Sequence, residues 1–196
     1  MRFPKHPRES APAGLVSGPV EQIRIRRASP ADAPAIAAIY NHEVEHETST
    51  FDLVPRTVED QLEWQNARDG AFAVVVAEIH GPDGPEVVGF GALSPYKERA
   101  AYRTTVEDSV YVRRDMGRRG IGRAILTHLL VTAADGGFHA VMARITTLSL
   151  GSIGLHESLG FRVVGTEREV GRKFNRWLDV CLMQNLLHEA GPTAKG

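Results

Sequence analysis

Apolar and polar positions recur along this chain with two different periods, and the places where the period changes mark its elements. Over residues 22–28, Ile23 and Ile25 alternate with Arg24 and Arg26, the two-residue period of a half-buried strand. A helix follows to about His46: Ser29 can cap it, Pro30 suits its first turn, Asp32 lies near its positive end, and Ile36, Ile39 and Tyr40 share one face. Thr57 caps a second helix running through Leu62 and Trp64 to about Asp69. Residues 72–80 and 87–94 are apolar and rich in β-branched side chains, and the turn formers Gly81-Pro82-Asp83-Gly84-Pro85 between them predict an antiparallel hairpin. A further strand covers 104–112. The helical period then returns from about Gly120, with Ile121, Ile125, Leu129 and Ala133 on one face, and stops at Gly136-Gly137. A strand at 140–145, a helix beginning at Ser149 or Ser152 and ending at Gly160, and strands at 161–170 and 177–186 complete the series.

The order β-α-α-β-β-β-α-β-α-β-β predicts an α/β fold, a mixed sheet with helices on both faces. The crossover from Val112 through a helix to Ala140 makes those two strands parallel, and the remaining neighbours are antiparallel. Residues 1–20 carry Pro4, Pro7, Pro12, Pro19, Gly14 and Gly18 with no apolar period, and are read as a mobile extension. One domain is expected over 21–188, with a flexible tail at 189–196.

Composition adds little to this outline except by exclusion. A formal net charge of -1 over 196 residues argues against a general nucleic-acid or acidic-membrane surface. No window has the apolar length of a bilayer span, and the first 20 residues have prolines where a signal peptide needs an apolar core, so a cytoplasmic protein is expected. The single cysteine, Cys181, sits in an apolar strand and reads as a buried structural thiol.

Chemistry concentrates between Glu107 and Leu130. A strand that passes through Gly117-Arg118-Arg119-Gly120-Ile121-Gly122-Arg123 into a helix gathers unpaired backbone N–H groups and the positive helix end at one spot, a site for an anion such as phosphate. A mononucleotide P-loop would need Lys and then Ser or Thr after its last glycine, where Arg123-Ala124 stand. A Rossmann fingerprint would need an acid on the next strand, where 140–145 has none. The string His42-Glu43-Val44-Glu45-His46 matches the HExxH zinc pattern, but no third ligand follows nearby, and no metal is expected.

TVEDSVYV, RRGIGRAILTHLL, SIGLHESLGF and REVGRKFNRWLDVCLMQ, in this order, together with the start Ala28-x-x-Asp-Ala-x-x-Ile36, resemble the GCN5-related N-acetyltransferase superfamily. Within it they are most similar to the phosphinothricin/methionine-sulfoximine acetyltransferase group, over residues 23–186. The resemblance implies a mostly antiparallel sheet whose central parallel pair splays around acetyl-CoA, and acetyl transfer to the amine of a small amino-acid-like substrate. Within the superfamily a protein N-terminus or another amine is the alternative acceptor; a non-catalytic acyl-CoA sensor is the alternative from another class. A homodimer is expected from the same resemblance.

The resemblance also implies roles. Backbone groups of Val110, Tyr111 and Val112 would hold the pantetheine and the acetyl carbonyl, and residues Arg118, Arg119, Gly120, Ile121, Gly122 and Arg123 the pyrophosphate. Glu107 matches the family's base, acting directly or through water, and His156 the group that protonates the departing thiolate. Phe51, Tyr102 and Arg103, with Tyr96 and Arg99 nearby, would shape the acceptor pocket, and an arginine there would suit a carboxylate. Lys173, Phe174, Arg176 and Trp177 match a segment near the active site and the dimer partner. Two positions depart from the pattern: Gly117 stands where the superfamily has Gln or Arg, leaving cationic help to Arg118 and Arg119, and Ser149 stands where the subgroup has a cofactor-holding asparagine.

Overall fold

The structure, a computed structural model, describes residues 22–81 and 84–187. The extension at 1–20, the tail at 189–196 and the hairpin residues Pro82 and Asp83 lie outside the described residues. In chain order the elements are β1 (Arg24–Arg27), α1 (Ala33–His46), α2 (Val58–Asn66), β2 (Val75–Gly81), β3 (Gly84–Pro95), β4 (Thr105–Val112), α3 (Ile121–Asp135), β5 (Ala140–Thr146), α4 (Leu150–Glu157), β6 (Arg162–Lys173) and β7 (Arg176–Leu186). The strands form one seven-stranded sheet in the order β1-β2-β3-β4-β5-β7-β6. Every pairing is antiparallel except β4 with β5, the pair joined by the α3 crossover.

Local chemistry explains where the helices begin. The Ser29 backbone N–H donates to Asp32 at 2.6 Å, and Arg26 of β1 donates twice to the same carboxylate at 2.7 and 2.9 Å, fixing the entry to α1. Those bonds hold the Asp32 carboxyl down at about 2, the Arg26 bond contributing most. Thr57 and Asp60 exchange reciprocal 3.0 Å bonds at the start of α2. Strand β6 runs on past the apolar stretch at 161–170, because the tight turn at Phe174-Asn175 lets Gly171, Arg172 and Lys173 pair with β7.

Two cores flank the sheet. On one face α3 and α4 cover Val106, Val141, Ala143, Cys181 and Met183 with Ile121, Ile125 and Leu129. On the other, α1 lays Ile36, Ile39, Tyr40 and Val44 against Val74, Val76, Phe90 and Ala92. Each fully buried Ile or Leu in these layers contributes about 1.5–3 kcal/mol. Cys181 is free and buried, and burial pushes its thiol up, which suits a packing role. Among the described residues no helix is long and apolar enough to cross a membrane.

Candidate active site

The site begins where a pairing stops. Strands β4 and β5 are paired only at Thr105↔Ala140, Val106↔Val141 and Glu107↔Met142; beyond that β4 stays on β3 while β5 follows β7. The fork opens a cleft of about 1480 Å³, walled by Glu107 to Arg114, Gly117, Arg118, the start of α3, the β5 residues Ala143 to Thr146, and α4 from Leu150 to His156. Over its far side hang the α1–α2 loop at Thr48 to Phe51 and, from the β6–β7 hairpin, Phe174 and Arg176.

Backbone groups dominate the mouth of the fork. Val110, Tyr111 and Val112 pair with β3 on one side and have no β5 partner on the other. The turn into α3 holds Arg118 at φ 61° and Gly120 at φ 84°, left-handed values that glycine adopts without cost and that turn successive N–H groups toward one point. The first intrahelical bond is donated by Ala124 to Gly120 at 2.9 Å, which leaves the N–H groups of Ile121, Gly122 and Arg123 for a ligand. This donor set fits a pyrophosphate, and the free β4 edge fits the amide-bearing arm of a coenzyme A. The arginines of the motif diverge. Arg118 lines the cleft, the Arg123 guanidinium donates to Ser158 at 2.8 Å and ties α3 to α4, and Arg119 turns toward the Met116 sulfur. Ser149 occupies the N-cap of α4 with its hydroxyl unused by the helix, on the cleft wall.

Strand alternation separates two acids. Glu107 faces the α1–α2 side with Ser109 and Tyr111; Asp108 faces the α3–α4 side. Glu107 is half-buried, and burial pushes its carboxyl above the ordinary value, against the pull of Arg144 and with help from Asp108 and Glu167. A carboxylate so tuned is poised to take a proton from an amine. Asp108 is buried and receives His156 Nε2 at 3.0 Å, while His156 Nδ1 lies 2.7 Å from the Ser152 carbonyl. Burial of the imidazole lowers its basicity, but the Asp108 carboxylate outweighs it, and the net shift is upward. The His156 ring is 3% exposed and both its nitrogens are engaged.

The roof of the cleft on the α1–α2 side is pinned by polar contacts that the apolar pattern does not reveal. Asn41 brackets the Arg56 backbone with two 2.8 Å bonds. The Tyr40 hydroxyl donates to Asp52 at 2.6 Å and lies 2.9 Å from that of Thr50. The buried Lys173 ammonium donates to the carbonyls of Glu43 and Thr50 at 3.0 and 2.9 Å, and burial lowers its basicity. Glu43, the second residue of the HExxH string, is buried and grips Arg114 at 2.8 and 2.6 Å, with Ser49 bonded to it as well. Its place on the buried stripe with Ile36, Ile39 and Tyr40 was the sequence signal that it needs a cation. The Phe51 ring packs against Gly171: a Cβ at Gly171 would stand 2.5 Å from Phe51 Cδ2 and nearer still to Cε2, so a side chain there displaces the ring.

The structure thus brings Glu107, His156, Val110 to Val112, Arg118, Gly120 to Arg123, Ser149 and Phe51 to one cleft. It does not bring Tyr102 and Arg103 there. Tyr102 lines a separate depression of about 460 Å³ with Lys97, Glu98 and Arg99, and Tyr96 packs edge-on against it at 5.7 Å. Because β3 and β4 are antiparallel, their connection lies at the N-terminal end of β4, whereas the fork opens toward its C-terminal end.

With this geometry in view, likeness to known proteins is specific. Residues 25–182 match the acetyltransferase (GNAT) domain family. The chain is 38% identical over 162 residues to an L-methionine sulfoximine/L-methionine sulfone acetyltransferase of Pseudomonas aeruginosa, covering 82% of this chain and 92% of that one. It is 37% identical over 162 residues to a phosphinothricin N-acetyltransferase of Streptomyces coelicolor, covering 82% of this chain and 94% of the relative. Among solved structures, a GNAT superfamily phosphinothricin acetyltransferase from Sinorhizobium meliloti in complex with acetyl-CoA superposes with a TM-score of 0.79 at 33% identity, over 88% of this chain and 92% of that one. The forked sheet, the glycine-bearing turn and these relatives together place the chain in the GNAT acetyltransferase family, as an N-acetyltransferase that takes its acetyl group from acetyl-CoA.

Proposed function

We propose that this enzyme acetylates the α-amine of a small amino-acid-like acceptor of the methionine sulfoximine or phosphinothricin type, with Glu107 as the base. The observation that carries the reading is the position of Glu107, half-buried at the last paired position of the fork with its carboxyl pushed up by burial. The names of the relatives support the acceptor class.

Bound acetyl-CoA supplies a thioester-activated acetyl group. The N–H groups of Ile121, Gly122 and Arg123 and the Arg118 guanidinium bind its pyrophosphate, and the free edge of Val110 to Val112 aligns its arm. An amine arrives protonated, and Glu107 removes a proton, directly or through one water, so that the nitrogen lone pair can attack. A β4 backbone N–H donates to the acetyl oxygen as negative charge develops there, a contribution of roughly 3 kcal/mol per donor in comparable sites. As the C–S bond breaks, the nitrogen gives up its remaining proton and the departing thiolate takes one up from water; His156, with both ring nitrogens engaged by Asp108 and the Ser152 carbonyl, holds that wall of the cleft in place. Phe51 walls the acceptor side.

The same reading makes the enzyme a cytoplasmic homodimer. Val163, Val164 and Val170 on edge strand β6 and Trp177 on β7 are exposed apolar side chains whose burial suits a second copy. Release of free CoA thiol with a panel of amino-acid amines that includes methionine sulfoximine and phosphinothricin tests the function. The expected result is acceptor-dependent release with one or more of them. Tight acetyl-CoA binding without release from any of them would overturn it.

A further inference from the structure

If the acceptor is an amino acid, its amine sits at Glu107 and its α-carboxylate only two bonds away, so a cation is required close to Glu107 and on the same face of the sheet. The arginine favoured by the sequence pattern, Arg103, is outside the cleft. Arg144 is inside it. Glu107 pairs with Met142, and Arg144, two residues further along β5, therefore projects from the same face as Glu107. Pairing between the strands ends at that point, so the two side chains stand on opposite prongs of the fork with space between them. Same-face neighbours displaced by two positions on adjacent strands lie roughly 7–8 Å apart even in an unsplayed sheet. That span accommodates the amine and carboxylate of one amino acid between two long side chains.

The guanidinium is only partly committed. Its Nη2 donates to Glu167 Oε2 at 2.7 Å, and among the described residues no acceptor faces its Nε or Nη1. The side chain is 39% exposed and that of Glu167 34%, so the pair is solvated and the fork remains available to a second carboxylate. Of the other arginines on the cleft wall, Arg113 is held by Glu86 and Asp115, Arg114 by Glu43 and Arg123 by Ser158, Arg118 sits at the turn into α3, and Arg176 belongs to the β6–β7 hairpin rather than to the strand that faces Glu107 across the fork.

We propose that Arg144 is the acceptor's carboxylate-binding residue, and that Glu167 is the counter-ion that holds its guanidinium in place and competes with the acceptor for it. The inference rests on the amino-acid reading of the acceptor. Arg144 then selects for amines that carry an adjacent carboxylate, and it does so from the strand opposite the base.

The test compares one accepted amino acid with its carboxamide in wild type, Arg144→Gln, Arg144→Lys and Glu167→Gln, measuring kcat/KM for each acceptor and KM for acetyl-CoA. Wild type should favour the acid about a hundredfold, a ratio typical of a charge-assisted pair. Arg144→Gln should reduce the preference to about threefold or less, Arg144→Lys should retain part of it, and acetyl-CoA KM should stay constant. The amide's less basic amine affects all variants alike and cancels in the comparison. Glu167→Gln should lower the acceptor KM by removing the competitor. A merely structural ion pair would make Arg144→Gln and Glu167→Gln shift in the same direction. An unchanged acid-to-amide ratio in Arg144→Gln, or a shared direction in the two variants, would overturn the inference while leaving the acceptor class intact. Absence of turnover with every carboxylate-bearing amine would overturn the acceptor class and the inference together.

Discussion

The two faces of β4 are built by opposite means. On the α3–α4 face, a single run of chain from Asp108 to Arg123 supplies the free strand edge, the left-handed turn and the unpaired helix start, and most of the ligand groups are backbone. On the α1–α2 face, the wall we assign to the acceptor is assembled from residues far apart in sequence: Phe51, Glu107, Arg144, Gly171 and Lys173. A cofactor that never changes can be held by main-chain geometry, which tolerates side-chain substitution. An acceptor pocket that must discriminate needs side chains on separate elements, each replaceable without disturbing the cradle.

That contrast governs what could be read from the sequence. The eleven helices and strands follow from apolar periods and turn formers, and the cradle from one contiguous glycine string. The split between Glu107 and Asp108 is also legible, since a strand sends neighbours to opposite faces. What was not legible is whatever depends on long-range packing. The pairing of His156 with Asp108 spans 48 residues, and Lys173 reaches Glu43 across 130. No local pattern signals that Gly171 is a glycine because Phe51 lies on it. Tyr102 and Arg103 were expected at the pocket because the resemblance assigns their loop to the substrate, and the antiparallel pairing of β3 with β4 sets that loop at the N-terminal end of β4, away from the opening of the fork.

The largest effect that would test the separation is on stability. Asp108→Ala strands a buried imidazole nitrogen and should cost about 3 kcal/mol, read as a lowered denaturation midpoint. The pH dependence should change with it. Since the folded His156 titrates above its ordinary value of 6.5, the pair's stabilisation is full below that value and is lost as pH rises through the folded one. Wild type should therefore lose stability across that window, and Asp108→Ala should show a flatter profile. Parallel profiles in the two proteins would mean that the pair is not the source.

A smaller effect is expected on the acceptor side. Gly171→Ala must push the Phe51 ring off its seat and into the cleft, raising acceptor KM about tenfold with little change in acetyl-CoA KM. Phe51→Ala alone should raise acceptor KM as well, and Gly171→Ala added to it should cost little more, because the overlapping ring is gone. If acetyl-CoA KM rises as much as acceptor KM, the two sides are not independent.

The claim that β4 divides base from cofactor is tested most directly by Glu107→Gln, with acceptor kcat/KM followed against pH and acetyl-CoA affinity measured in parallel by calorimetry. Wild type should show a rising limb whose midpoint lies above the ordinary carboxylate value of 4.5, where Glu107 loses its proton. In the variant that limb should vanish and the rate should fall about a hundredfold or more above it, where wild-type Glu107 is ionised, and least below it, with acetyl-CoA affinity nearly unchanged. Wild-type turnover in the variant, or an acetyl-CoA affinity that falls along with the rate, would contradict the account.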